Sequence, residues 1–444
     1  MNRRFAAIIA GLMLVAGPAL AQDGPDYLDS AKLYDAGLVK SWQMRLGVSG
    51  GQYVADVFRV DDVLYAATND GWVYAIHAYT GAVRWLRQVT TGGYRILAPA
   101  HIGERVIFVT PAAVQQLDRF TGRALQEFSL EFPAGSAPVC DDHQVYIGGL
   151  NQRLYAFSPE YAFENWKAGV FAPITSRPQI MGDRLFMASE DGRVFALTAL
   201  TRQLRRMGRV FGSVTADLVV REEGVYVASR DQSLYLLDLE YLEERWRARL
   251  SAPLFEPPVV IGDTAYQHNR VDGVAAVNTA VVDVHQRVRW TLPRGRQALT
   301  AVGADVLLLS SDGAVLVVRE STGSIRAEIA ADGLNIAIPA PAENAVFLAG
   351  ADGRLVCARP IGTPAVTAEQ LRAALTRPAL PDAAEVAEIP ERPASITPPV
   401  NLAEMLVPPR GGPPLGGKSK ISRSWKGAAG QPGGGESDRG ADQP

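Results

Sequence analysis

The residues of this chain that could do acid–base, metal or thiol chemistry are few and scattered. The five histidines, His77, His101, His143, His268 and His285, share no spacing. A zinc centre needs His, Cys or carboxylate side chains in clusters, so these histidines read as surface or interstrand residues. Cys140 and Cys357 lie 217 positions apart. They read as two buried, unpaired thiols, because a free cysteine packs as a small hydrophobe. No nucleophile elbow, phosphate loop or dinucleotide fingerprint occurs in the strand–helix context it requires. One chemistry-bearing set does recur: Asp70, Asn151, Asp191, Asp231, Asp272, Asp312 and Asp352, with Pro111 in the equivalent place of one further copy. Carboxylates can ligate cations or move protons. Here each precedes a turn residue, and a turn already explains Asp or Asn, whose side chains bond to nearby backbone.

The elements that carry this set form a repeat. The second turn residues are Gly71, Ala112, Gln152, Gly192, Gln232, Gly273, Gly313 and Gly353, at intervals of 41, 40, 40, 40, 41, 40 and 40. A fixed period near 40 residues denotes a stacked or radial array. Within a unit, "RLFMAS" (from Arg184) leads through Asp191-Gly192 into "RVFALT" (from Arg193). Asp-Gly between apolar runs is a tight-hairpin signal. The runs show little alternation, so the sheets should be covered on both faces.

Fourteen residues after the turn comes Trp85, Trp166 or Trp246; the sixth copy places Trp290 three residues late, implying a longer loop around residues 281–286. Gln126, Arg206 and Ala327 stand there in other copies. We read the tryptophans, including Trp42, as wedges between neighbouring sheets, since each offers a large apolar area and one N–H donor. Trp42 belongs to a Trp strand with no hairpin before it, whereas the eighth copy ends near Gly362 with no Trp strand after it. The N-terminal strand should therefore complete the last sheet and close a ring. The expected fold is all-β: an eight-bladed propeller of four-stranded antiparallel blades.

"DGWVYAIHAYTGAVRW" (from Asp70), with Thr121-Gly122 and Thr322-Gly323, resembles the pyrroloquinoline-quinone-type propeller repeat. The resemblance spans residues 39–362. It implies one of two groups, the quinoprotein dehydrogenases or the non-enzymatic periplasmic propellers typified by BamB. The dehydrogenases imply long chamber-building loops, a vicinal cysteine pair, a calcium or lanthanide site and an Asp base. About 40 residues per blade and two distant cysteines do not match that pattern. The expectation is the non-enzymatic group, with no catalytic residue, cofactor or metal. A quinone-dependent dehydrogenase and a polysaccharide or small-ligand binder are the alternatives.

The flanks bound the setting. Residues 1–21 read as a signal peptide: Arg3 and Arg4, an apolar stretch from Phe5 to Ala16, and the cleavage motif Ala19-Leu20-Ala21. Arg3-Arg4 could suggest twin-arginine export, but general secretion fits the remainder better. The expected protein is exported, soluble in the periplasm or envelope, and monomeric, with no membrane insertion. A net charge of -3 gives no case for nucleic acid. Residues 22–38 form a lead-in. Residues 363–444 hold 13 of the 29 prolines and read as a disordered tail with a short helix at 367–377 and one apolar island, Asn401 to Val407.

Loops leading into each innermost strand should gather near the central channel. They offer Tyr53, Tyr94, Arg95, Arg177, Glu256, Arg296 and Gln297 as contacts for a protein partner in the envelope. Tyr53 and Tyr94 are the support for the ligand-binding alternative.

Overall fold

The computed structural model describes residues 26–48, 50–91, 93–161, 163–280, 287–377 and 400–401, all within one compact unit, Met1–Met405. Residues 1–21, read as a signal peptide, residues 281–286 and most of the tail lie outside the described residues.

Eight sheets, each built on four antiparallel strands labelled a to d from the centre outward, form the ring. Blade 1 shows the pattern with Val54–Val60, Val63–Thr68, Trp72–His77 and Val83–Gln88. Blades 2 to 7 follow in chain order. Blade 8 takes strands a to c from Ile336–Ile338, Val346–Ala349 and Arg354–Pro360, and strand d from Leu38–Arg45. That last pairing runs from Leu38 opposite Pro360 to Arg45 opposite Arg354, with one irregularity at Lys40/Trp42. Closure leaves no sheet edge open at the junction between first and last repeats. In blade 3, Val400–Asn401 add a short parallel pairing to the outer strand, at Ala168 and Gly169.

The second strands are buried almost throughout, as in Val63–Thr68 and Asp305–Ser310. Their continuous apolar character follows from having a neighbouring blade on each side. Outer strands alternate instead: Glu244–Arg249 buries Trp246 and Ala248 between exposed polar residues, because one edge of every blade meets water. The cores sit between blades. Tyr65, Val73, Trp85, Val106 and Phe108 fill the space between blades 1 and 2. Helix α1 (Ser30–Asp35), N-capped by Asp29, buries Leu33 against blades 7 and 8. Helix α2 (Ala368–Leu375) starts in a capping box between Thr367 and Gln370.

The second turn position has positive φ in seven copies, including 64° at Gln152 and 76° at Gln232; Ala112, after Pro111, is the exception. The repeat thus conserves a backbone shape more strictly than a glycine. At Gly71 a Cβ would also lie 2.1 Å from the Thr90 carbonyl oxygen, so only glycine fits. The preceding carboxylates accept from a hydroxyl two residues back: Thr68 Oγ1 to Asp70 at 2.6 Å and Ser189 Oγ to Asp191 at 2.5 Å. Cys140 and Cys357 are unpaired. Cys357 is buried, but Cys140 is only half-buried, because its short strand Val139–Cys140 faces the channel side of blade 3. Burial pushes both thiols up to about 12.

Candidate functional site

Strand direction alternates through a blade, so the b–c turns and the d-to-a crossover loops share one face of the ring. The a–b and c–d turns share the other. Backbone bonds fasten the first face together: Asn69 N–H to Tyr53 O at 3.1 Å, Glu190 N–H to Pro173 O at 2.9 Å, and Arg230 N–H to Ser213 O at 2.9 Å. These crossover loops are therefore pinned to the b–c turns of the blades they lead into. That rigidity lets loop side chains hold fixed positions.

The residues singled out in sequence occupy this face in different ways. Tyr53 is 48% exposed and Tyr94 52%. Tyr94 borders a groove of about 340 Å³ with Thr110, Gln115 and Glu127. Arg95 stands in solvent 3.8 Å from Asp56. Glu256 and Arg296 are brought together across blades 6 and 7, with His268 Nδ1 3.3 Å from Glu256. Burial opposes ionisation of Glu256, but the hydrogen bonds from His268 and Arg296 win and hold its carboxyl at about 2. Gln297 sits half-buried in strand a of blade 7, opposite Leu309.

Arg177 turns inward. Its Nε donates to Pro138 O at 3.0 Å and its Nη2 to Pro99 O at 3.2 Å, while its backbone N–H donates to Asp217 Oδ1 at 2.7 Å. One residue thus ties together loops of blades 2, 3, 4 and 5. Burial pushes the Asp217 carboxyl up from its ordinary value.

The same face carries aromatic residues that sequence reasoning passed over. Phe211, on the loop into blade 5, is 79% exposed, and Phe255, on the loop into blade 6, is 45% exposed. Arg247 lies 5.4 Å over Phe211; Arg230 and Arg270 flank Phe255 at 5.0 and 5.5 Å. Phe171, one loop earlier, has Arg193 4.0 Å over its ring. Exposed Leu150 and Val271, both on b–c turns, add apolar surface. The available signal was a Phe on a crossover loop with an Arg in reach on the blade that loop leads into, Arg193, Arg247 or Arg270. Arginine next to an aromatic ring is the composition that concentrates binding energy at protein interfaces.

The tryptophans lie between blades. Trp42 Nε1 donates to Ala78 O at 2.9 Å, Trp85 to Arg119 O at 3.0 Å and Trp290 to Glu320 O at 2.7 Å. Trp166 and Trp246 are buried with no hydrogen-bond partner for Nε1 among the described residues. Arg287 lies 4.4 Å over the Trp246 ring. Among the described residues, no group of three or more His, Cys, Asp or Glu side chains could hold a metal ion.

The family described as outer membrane protein assembly factor BamB matches residues 110–205 and 203–383, more than half of the chain. The crystal structure of BamB from Moraxella catarrhalis superposes with a TM-score of 0.59 at 17% identity, over 74% of this chain and 99% of that one. The computationally designed Ika8 protein superposes with a TM-score of 0.57 at 14% identity, over 70% and 98%. At these identities the superpositions speak for the fold alone. No curated protein matches the chain in sequence. By the family match and the eight-bladed ring together, the chain belongs to the BamB family of PQQ-like repeat propellers.

Proposed function

We propose that this protein is an exported, non-catalytic scaffold that binds a protein partner in the periplasm or cell envelope through its crossover-loop face. The observation that supports this most is the row of Phe171, Phe211 and Phe255 on three successive loops, each ring beside an arginine. Exposing Phe211 and Phe255 on rigid loops, with Phe171 half-buried on the loop before them, leaves apolar area in water without benefit to the fold. A protein surface that covers them would recover that area. Tyr53, Tyr94, Arg95, Glu256 and Arg296 lie on the same face and would form its polar margin. Arg177 serves the loops themselves.

The family name supports a component of outer-membrane protein assembly as the class of partner. Export rests on the signal-peptide reading of residues 1–21. Among the described residues no helix is long and apolar enough to cross a membrane.

Affinity capture from envelope extract tests the reading. The wild-type chain should retain a specific envelope protein, and the double variant Phe211→Ala, Phe255→Ala should lose it while keeping the same melting curve. Equal capture by both would reject this face. A quinone absorbance band, or alcohol turnover by the purified protein with pyrroloquinoline quinone and calcium, would reject the non-catalytic assignment.

A further inference from the structure

On the face opposite the crossover loops, helix α2 roofs a cavity of about 770 Å³ against blades 8, 1 and 2. This volume lies within the range of small-molecule sites. Asp62, His77, Arg84, Arg119, Phe120 and Arg359 line its floor; Val366, Ala373 and Ala374 line the roof. The helix is fastened at both sides. Arg84 Nε donates to Ala374 O at 2.9 Å, and Arg377 pairs with Asp118 and Glu104.

The charges on the floor do not balance. Asp62 is shared: Arg84 Nη2 reaches Oδ2 at 2.6 Å and Arg119 Nη2 reaches Oδ1 at 2.9 Å. Two guanidinium groups thus divide one carboxylate. Arg359 lies 5.0 Å over the Tyr79 ring and pairs with no carboxylate among the described residues. The other nearby acids are engaged elsewhere, Asp61 with His101, Glu343 with Arg59, and Asp118 and Glu104 with Arg377. His77 Nδ1 bonds the Thr80 hydroxyl at 2.9 Å and its Nε2 lies 3.7 Å from Asp62; burial, followed by the charge of Arg84, outweighs Asp62 and holds the imidazole below its ordinary value. The floor keeps a net positive charge.

Arg84 carries the argument furthest. Its side chain is 5% exposed, yet Nη1 has no hydrogen-bond partner. Arg119 Nε is also buried without one. A buried guanidinium N–H left unpaired is costly, and such orphans are rare in native proteins. An oxyanion is the complement that guanidinium geometry favours. Phe120 fixes the donors in place, with Arg84 and Arg119 at 5.5 and 5.2 Å from its ring centre.

We propose that this cavity binds a small organic anion, with a carboxylate or phosphate head held between Arg359 and the paired guanidinium groups of Arg84 and Arg119, and an apolar body under α2 against Val366, Ala373 and Ala374. The site is separate from the crossover-loop face and does not depend on the partner proposed for it.

Calorimetry on the full-length protein tests this with octanoate, octyl phosphate, inorganic phosphate and the neutral 1-octanol. Octanoate or octyl phosphate should bind saturably with Kd below about 1 mM, and the tighter of the two identifies the head group. Inorganic phosphate should bind more weakly than octyl phosphate, and octanol should not bind. Arg84→Gln should weaken the anion roughly tenfold or more, as expected for losing a charge-assisted hydrogen bond. Arg359→Gln removes a charge without an ion pair in the fold, so it should also weaken binding while the protein stays folded. Absence of saturable binding by any of the anions, equal binding of octanol, or an unchanged Kd in folded Arg359→Gln would overturn the proposal.

Discussion

Trp85 and Gly122 stand on neighbouring blades and define each other. The Trp85 indole donates to Arg119 O at 3.0 Å, and its ring fills the space into which a Cβ on Gly122 would project, 2.7 Å away. Gly122 also has φ of 67°. The pairing recurs as Trp42 with Gly81 and Trp290 with Gly323, where a Cβ would meet the indole at 2.9 and 2.6 Å. The Thr-Gly turn is therefore the socket for the tryptophan of the preceding blade. It is a contact between repeats, though it reads as a feature within one.

Gly122→Ala should accordingly destabilise the protein by roughly 2–4 kcal/mol, from left-handed strain plus overpacking against the indole. Gly103 has φ of 54° and open space around its Cβ position, so Gly103→Ala should cost only about 1 kcal/mol. Chemical denaturation of the two variants measures the difference. Equal costs would show that the indole contact adds nothing.

Ring closure depends on Leu38–Arg45 lying against Arg354–Pro360. A chain starting after Arg45 should expose the edge of blade 8 and melt at a lower temperature. It should also self-associate with rising concentration, as unpaired sheet edges do. A synthetic peptide of residues 26–48, added in excess, should restore the melting temperature. A truncated chain that stays monomeric and equally stable would contradict closure by this strand.

Much of this architecture was legible because a period of 40 residues and one missing strand are properties of the chain alone. The turn positions, blade number and closing strand follow from them. The functional surfaces were less legible. Phe211 and Phe255 stand in the loops that lead into the innermost strands, but their exposure depends on the path those loops take. Arg177 reads as a loop cation and instead bonds carbonyl groups of two other blades, since short crossover loops crowd together at the channel. The Arg84 cavity is assembled from three blades and α2, positions nearly 300 residues apart, so no local spacing marks it.

Acid should reveal the Glu256 cluster. The folded carboxyl sits at about 2 against an ordinary 4.5. A depressed carboxyl stabilises the fold fully above its ordinary value, and that contribution is lost as pH falls from about 4.5 towards 2. The side chain is 38% exposed, so solvent screening limits the effect to about 1 kcal/mol. Glu256→Gln should be less stable than wild type by this amount at pH 7, and the gap should close by pH 2. A gap that persists unchanged to pH 2 would assign the loss to packing.

Photo-crosslinking in intact cells tests the central claim most directly. A photoreactive residue replacing Phe211 or Phe255 should capture one defined envelope protein, whereas one replacing Tyr161, whose exposure falls between theirs but which lies on the opposite face, should not. No adduct from Phe211 and Phe255, or the same adduct from Tyr161, would contradict a scaffold that recruits through its crossover loops.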